Sequence, residues 1–460
     1  MRAIAAKDAR PRRRPRTASP RRSSAVLDYL ALSWVACAII LATGAWIWPL
    51  DSAVNLETEQ AYATQFKALV YALSLVQGGL GVHYAWQTRS YAGLLFGAQA
   101  LALLLSGVAG RDAFYGGQAM AGLFGLTFGA LGTYRTLGPW RTLNCASNVI
   151  LALLGVSIIL AIAAPDLGQH GAAFHGQWRG AFANKNQLGA VAFLALATMW
   201  PYLARRDYKR VAVTVFLSLL CLWGSKSGTS IAVSALSLML IGTFFAAKKI
   251  GLGRGATTGA LLVVALLGYL LQDNIINLVV TSLGKDLTFS GRDEIWLHMW
   301  AIGVERPLFG QGPYYLIIDQ TVMDWLRKEV VFPQLRSAHN SYLETFIEAG
   351  ALGVATMISA YAVVLWRWSS SRNTDSPLSL LVLSVLIPVA VYNNFESANH
   401  LFAGFGTLFI NLLLIDSFHH PSLLSGRNGK PLGAGRSTLP SSRRRARISR
   451  PQVSAAKAAE

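Results

Sequence analysis

The chain has 460 residues, of which 53% are hydrophobic and only 14% charged, with a formal net charge of +19. An average soluble domain carries about 25% charged residues, so a large soluble assembly is excluded and a membrane-embedded chain is indicated. The charge is not a nucleic-acid footprint: residues 1–24 and 421–460 each hold nine cations against one acid, leaving only +3 for everything between them.

Both tails are rich in Arg, Pro, Ser and Ala and poor in large apolar residues, which predicts disorder in 1–24 and in 419–460. They read as cytoplasmic topology anchors that also touch anionic lipid, and no nucleic-acid partner is expected. Between them lies a predicted transmembrane domain, 25–418, in which apolar runs recur at about 27–48, 66–86, 91–109, 117–134, 145–164, 186–204, 211–224, 230–247, 256–271, 340–366, 378–393 and 401–418. A span needs about 20 apolar residues, so the pattern predicts an all-α polytopic membrane protein of about twelve helices. The first run follows Arg21 and Arg22 and continues without a small-residue cleavage site, as a retained helix would. Cys37, Cys145 and Cys221 all fall inside apolar runs, which argues against a disulfide framework or a Cys-based metal site.

With the amino terminus in the cytoplasm, the cytoplasmic loops carry twelve cations, including Arg205, Arg206, Lys209 and Arg210. The short outer loops then hold five, so charge asymmetry and basic tails agree on the orientation. The long loop 272–339 falls outside and keeps six cations against the insertion bias. A segment of that length between spans is usually functional.

Three stretches could carry chemistry. Gly176 to Gly189 leads into the sixth run with Asn184 or Asn186 as its N-cap, and sets Arg179 and Lys185 beside the positive end of that helix. Ser290-Gly291-Arg292-Asp293 has the form of a capping box, placing Arg292 in a first turn where the macrodipole disfavours a cation unless an anion is bound. Pairing of Arg292 with Asp293 or Glu294 is the purely structural alternative. Arg336 to Gly350 opens the tenth run, with His339 at the helix start and Asn340, Glu344 and Glu348 on one face at i, i+4 spacing. Glu348 lies two turns inside an apolar span, where an acid is costly. A neutral His339 could accept a proton, although an interfacial His is ordinarily just solvated. Glu57-x-Glu59, Ser225 to Ser230, His175 and His400 are weaker, and no P-loop, H-E-x-x-H or Rossmann fingerprint is present.

Three ordered blocks resemble the O-antigen ligase and polymerase superfamily of bacterial glycan-assembly membrane proteins. They are R-G-x-F-x-x-K-N-x-x-G (Arg179 to Gly189), S-G-R-x-x-x-W followed by Arg306-Pro-Leu-Phe-Gly-Gln-Gly312, and H-N-S-Y-L-E-x-x-x-E-x-G-x-x-G (His339 to Gly353). The K-N form of the first block looks most like exopolysaccharide-polymerising members, and the resemblance spans roughly residues 140–415.

The resemblance implies a glycosyltransferase of the C-type architecture in the bacterial inner membrane, both termini cytoplasmic, using an undecaprenyl-diphosphate-linked glycan donor and a glycan acceptor at the periplasmic face. It implies His339 as the group acting on the acceptor and Arg179 and Arg292 as diphosphate holders. Lys185 and Arg336 are candidate further diphosphate contacts, and Asn186, Asn340, Glu344 and Glu348 candidate supports. Neither cofactor nor metal is expected. A repeat-unit polymerase is the first expectation, an O-antigen ligase acting on a lipid A core the second, and a glycan flippase or transporter the rival of another class. Membrane lipid, a chain-length regulator and a flippase are the expected partners.

Overall fold

A computed structural model describes residues 25–43, 45, 56–110, 113–171, 176–271, 292–329, 337–370, 380–396, 404 and 406–419. The side chain of Glu57, residues His175, His400 and Ser290, and the proposed diphosphate contact Arg336 lie outside what it describes. The described elements are helical and contain no strand, only an isolated bridge between Gln169 and Trp178.

The first helices are α1 (Ala25–Thr43), α2 (Leu56–Thr88), α3 (Tyr91–Ala109) and α4 (Ala113–Ala163). α4 runs through two of the expected spans as one bent element, because Gly138, at φ 73°, and Pro139 turn the chain without ending the helical path. Without water in a bilayer core, helices gain contact by close backbone approach at small residues. Gly81 and Gly132 show this at the α2–α4 interface: a Cβ on either would lie 2.0 Å from a carbonyl oxygen, of Phe128 and Gln77 respectively.

A short turn, α5 (Pro165–Gly168), precedes α6 (Lys185–Ala197), followed by α7 (Trp200–Ala204), α8 (Tyr208–Ser225), α9 (Gly228–Lys249) and α10 (Arg254–Leu270). Every residue of α6 from Leu188 to Ala197 is buried. A helix apolar all round belongs inside a bundle, so α6 is its central rod and the start of α6 is a fixed point. Ser225 to Ser230 forms the tight interhelical turn between α8 and α9, with Lys226 left-handed at φ 48°.

The segment after α10 folds onto the bundle as α11 (Arg292–Val304), α12 (Tyr315–Ile318) and α13 (Gln320–Glu329). These helices share a small core of their own, including Met299, Leu316, Met323 and Leu326, closed by Leu343 and Ile347 from α14 (Ser341–Ser370). A π-helical turn, Val382–Leu386, then enters α15 (Ile387–Tyr392), and α16 (Thr407–His419) ends the described chain. The π turn stays paired in the apolar interior: Ser384 Oγ donates to the Ala197 carbonyl of α6, and Ser237 Oγ donates to the Ser384 carbonyl.

Among the described residues seven helices are long and apolar enough to cross a membrane, against the twelve spans expected. The difference has three sources: α4 joins two expected spans, Gly255–Gly268, Val382–Tyr392 and Thr407–Phe418 are apolar but shorter, and α2, which covers the expected span 66–86, is not among the seven. The chain is a multi-pass, all-α membrane protein.

Candidate active site

Helix α14 is interrupted at Gly350, where φ is 65° and ψ −168°. The break is filled by the Arg306 to Gly312 segment, which hydrogen-bonds to the backbone on both sides of it. Gln311 N–H donates to the Ile347 carbonyl at 2.7 Å and Gly312 N–H to Glu348 at 3.1 Å, while Ala351 N–H donates to Pro307 at 2.7 Å and Leu352 N–H to Leu308 at 3.3 Å. A Cβ on Gly350 would lie 2.3 Å from the Leu308 carbonyl, and one on Gly310 2.4 Å from the Glu348 carbonyl carbon. The glycines of the second and third sequence blocks are thus two halves of one joint. Ser106 of α3 also donates to the Glu348 carbonyl, and the Arg306 guanidinium to that of Ala109.

Above this joint the first turns of α14 are held rigidly. Asn340 is the N-cap, its Oδ1 accepting the N–H groups of Tyr342 and Leu343 at 3.0 Å each. Glu344 is buried and accepts the Ala338 N–H at 2.6 Å, while Trp296 Nε1 donates to the Ala338 carbonyl at 2.8 Å. Glu348, fully buried, accepts the N–H of Tyr314 at 2.9 Å. Of the two acids on one face that the sequence marks as candidate supports, Glu348 ties the chain just before α12 to α14, while Glu344 closes the turn that leads into α14. His339 sits between these anchors in the left-handed region at φ 50°, its side chain 34% exposed.

His339, Arg292 and Asn186, one from each sequence block, meet on a residue that none of the blocks contains. Glu396, just past α15, places Oε2 3.1 Å from His339 Nδ1. Its Oε1 accepts from Asn186 Nδ2 at 2.9 Å and faces Arg292 Nη2 at 3.4 Å. Arg292 Nη1 donates to the neighbouring Phe395 carbonyl at 2.7 Å, so this arginine spends its charge on the end of α15. Ser341 ties the same turn to α14, donating from Oγ to the Glu396 carbonyl at 2.9 Å and from N–H to Asn393 at 2.8 Å. The Glu396 carboxylate is almost fully buried. Burial alone would raise its pKa, but the hydrogen bond and charge of His339 and the charge of Arg292 outweigh it and hold Glu396 below its ordinary value.

Arg179 is held differently. It is buried, its Nε donates to the Leu167 carbonyl at 2.9 Å, and its own N–H reaches the Gly168 carbonyl. The loop around it is braced by Trp178, whose N–H donates to Gly224, and by His170, whose Nε2 accepts the Lys185 N–H at 3.0 Å. Asn184 caps α6 through Gln187 N–H at 2.9 Å, which leaves Asn186 in the first turn and turned toward Glu396.

Residues 213–358 match the family model described as O-antigen ligase. This stretch is similar to O-antigen ligase domains. A comparison with curated proteins finds no match. The matched stretch contains Arg292, His339, Asn340, Glu344 and Glu348, whereas Arg179, Lys185, Asn186 and Glu396 fall outside it. The site therefore uses the central helix before the domain and the α15 turn after it. The O-antigen ligase match supports a role in joining glycans during O-antigen assembly.

Sequence reasoning missed Glu396. The available signal is an acid in Asn393-Asn394-Phe395-Glu396, following an apolar run on the side expected to be outer. Such a residue ordinarily reads as a solvated interfacial acid.

Proposed function

We propose that this chain is a membrane glycosyltransferase that polymerises lipid-linked polysaccharide repeat units at the periplasmic face. The observation that carries the reading is the His339–Glu396 pair beside Arg292. A carboxylate on Nδ1 fixes the imidazole's tautomer and orientation, directing Nε2 outward with its lone pair available. Among the described residues Nε2 has no protein partner, and a fractionally exposed ring can meet an acceptor hydroxyl.

The reaction would run in one displacement. His339 Nε2 takes the proton of the acceptor hydroxyl as its oxygen forms a bond to the donor's anomeric carbon. The anomeric C–O bond to the diphosphate breaks, and its electron pair leaves on the diphosphate oxygen. Guanidinium groups suit that developing charge because their planar fork bonds phosphate oxygens bidentately. Arg292 is proposed for this role with Arg179, Lys185 and Arg336, and the imidazolium formed is stabilised by Glu396. Arg292 keeps Glu396 as its resting partner, so approach of a diphosphate would exchange one anionic contact for another. A flippase or other transporter is disfavoured because the site gathers at helix ends rather than along a central cavity.

A second reading is an O-antigen ligase that transfers finished glycan to a lipid A core, favoured by the description of the matched family. Glycan analysis of a deletion strain separates the two. Single repeat units on the carrier lipid would support the polymerase, and accumulated long lipid-linked polymer the ligase. Unchanged glycans would sink both.

A further inference from the structure

At the far end of α6 from the candidate active site, four cations crowd into six residues: Arg205, Arg206, Lys209 and Arg210. The 13 residues of α6 rise about 20 Å between Lys185 and Ala197, so this turn lies on the opposite face of the bundle. We propose that it binds the phosphodiester headgroup of an anionic phospholipid in the leaflet opposite the candidate active site. Binding there does not depend on the reaction assigned to His339.

The cations are set by aromatic packing at the α4 break. Trp140 follows Pro139 directly, and Tyr202 of α7 meets its ring edge to face, with centroids 6.4 Å apart. Arg205 Cζ lies 3.2 Å from the centre of the Trp140 ring, and Arg210 Cζ 4.2 Å from that of Tyr202. Arg210 also donates from Nη2 to Asn148 Oδ1 at 2.7 Å, which anchors it to α4. A ring face accepts no conventional hydrogen bond, and among the described residues no oxygen or nitrogen accepts from the Arg205 guanidinium. Its planar fork of N–H donors matches the oxygens of a phosphate.

The local charge is not balanced by the protein. Asp207, the one acid within the turn, serves as the N-cap of α8, its carboxylate accepting the Arg210 N–H at 3.3 Å. No carboxylate among the described residues forms an ion pair with any of the four cations. Like charges this close repel one another, and a bound anion relieves that repulsion.

The surroundings select a lipid over a soluble anion. α8 leaves the turn with Tyr208, Val213, Phe216 and Leu219 each more than half exposed. From Tyr208 to Leu219 the helix rises about 17 Å, close to half of the roughly 30 Å hydrocarbon thickness. Cations at one end and one leaflet's depth of apolar wall beyond them match the two halves of a phospholipid. A nucleic acid or an acidic peptide would use the charges and leave that wall empty.

The test is native mass spectrometry of the detergent-purified full chain, titrated with phosphatidylglycerol and, separately, with phosphatidylcholine. The wild type should bind phosphatidylglycerol at least about tenfold more tightly than phosphatidylcholine. Arg205→Gln/Arg206→Gln/Lys209→Gln should lose that preference. Lys248→Gln/Lys249→Gln removes two cations from the end of α9 on the same face, and should stay within about twofold of the wild type. Should the triple variant fail to fold, Arg206→Gln/Lys209→Gln leaves the Arg205–Trp140 contact in place and should still weaken phosphatidylglycerol binding at least about threefold. A wild type without preference for phosphatidylglycerol overturns the proposal, leaving the turn a solvated topology signal. So does an equal loss in the α9 variant, which would make the effect one of general charge. Displacement of phosphatidylglycerol by inorganic phosphate at equal concentration also overturns it, and would make the turn a site for a soluble anion.

Discussion

His339 Nδ1 and Glu396 Oε2 lie 3.1 Å apart although 57 residues separate them in the chain. The carboxylate is buried and the imidazole is partly exposed, so the pair presents one polar edge outward from a fixed base. The same carboxylate accepts from Asn186 and pairs with Arg292, so all three sequence blocks converge on one side chain.

Replacing His339 by Ala should reduce glycosyl transfer by about 100- to 10,000-fold in a purified assay while lipid-linked donor still binds. His339→Gln and His339→Asn should be as inactive, since an amide can bond Glu396 but cannot take a proton from an acceptor hydroxyl. A Gln or Asn variant with most of the wild-type rate would reduce His339 to a cap of the neighbouring turn.

Glu396→Gln removes the charge while keeping the shape. Because the folded carboxylate's pKa is lowered, its contribution to stability is fully present above the ordinary value of 4.5 and is lost as pH falls through the lower folded value. The wild type should therefore melt above Glu396→Gln at neutral pH, and the gap should close only on acidification below pH 4.5. Equal melting temperatures for the two proteins at neutral pH would count against the charge-paired carboxylate.

Arg292→Lys keeps a positive charge but cannot bond both the Phe395 carbonyl and Glu396 with one planar fork. Transfer should fall at least about tenfold, corresponding to about 1.4 kcal/mol. Arg179→Lys should behave similarly, because the buried Leu167 carbonyl would lose its Nε donor. Full activity in both, at matched protein level, would argue that these positions need charge alone.

Gly350→Ala asks a Cβ to occupy the left-handed region within 2.3 Å of the Leu308 carbonyl. Backbone strain alone costs about 1–3 kcal/mol, and the contact adds to it. The folded fraction on size-exclusion chromatography should drop sharply. Gly97→Ala, on α3 with nothing near its Cβ position, should be neutral or slightly stabilising. Comparable behaviour of the two variants would show that the joint tolerates slippage.

Cysteines introduced at Arg206 and Leu308 test the orientation. In intact cells a membrane-impermeant maleimide should label Leu308→Cys, which is 56% exposed, and spare Arg206→Cys. The reverse pattern would move the proposed chemistry to the cytoplasm.

The sequence by itself determined the membrane class, the approximate helix positions and the three motif blocks. Those properties are written locally: apolar run length, cap residues and cation asymmetry act over one or two helical turns or across a single loop. It also marked Glu344 and Glu348 as candidate supports, since an acid inside an apolar helix must find a buried partner wherever it lies. The tertiary structure decided which partner. Glu348 chose the N–H of Tyr314, 34 residues away, and Asn186 chose Glu396 across 210. It also decided that Gly350 is a break rather than one residue of a continuous span, because the carbonyls and N–H groups freed there are satisfied by Pro307 to Gly312 from a distant segment. Glu396 stands at the limit of local reading: an acid after a span is ordinary until the first turns of α6, α11 and α14 enclose it.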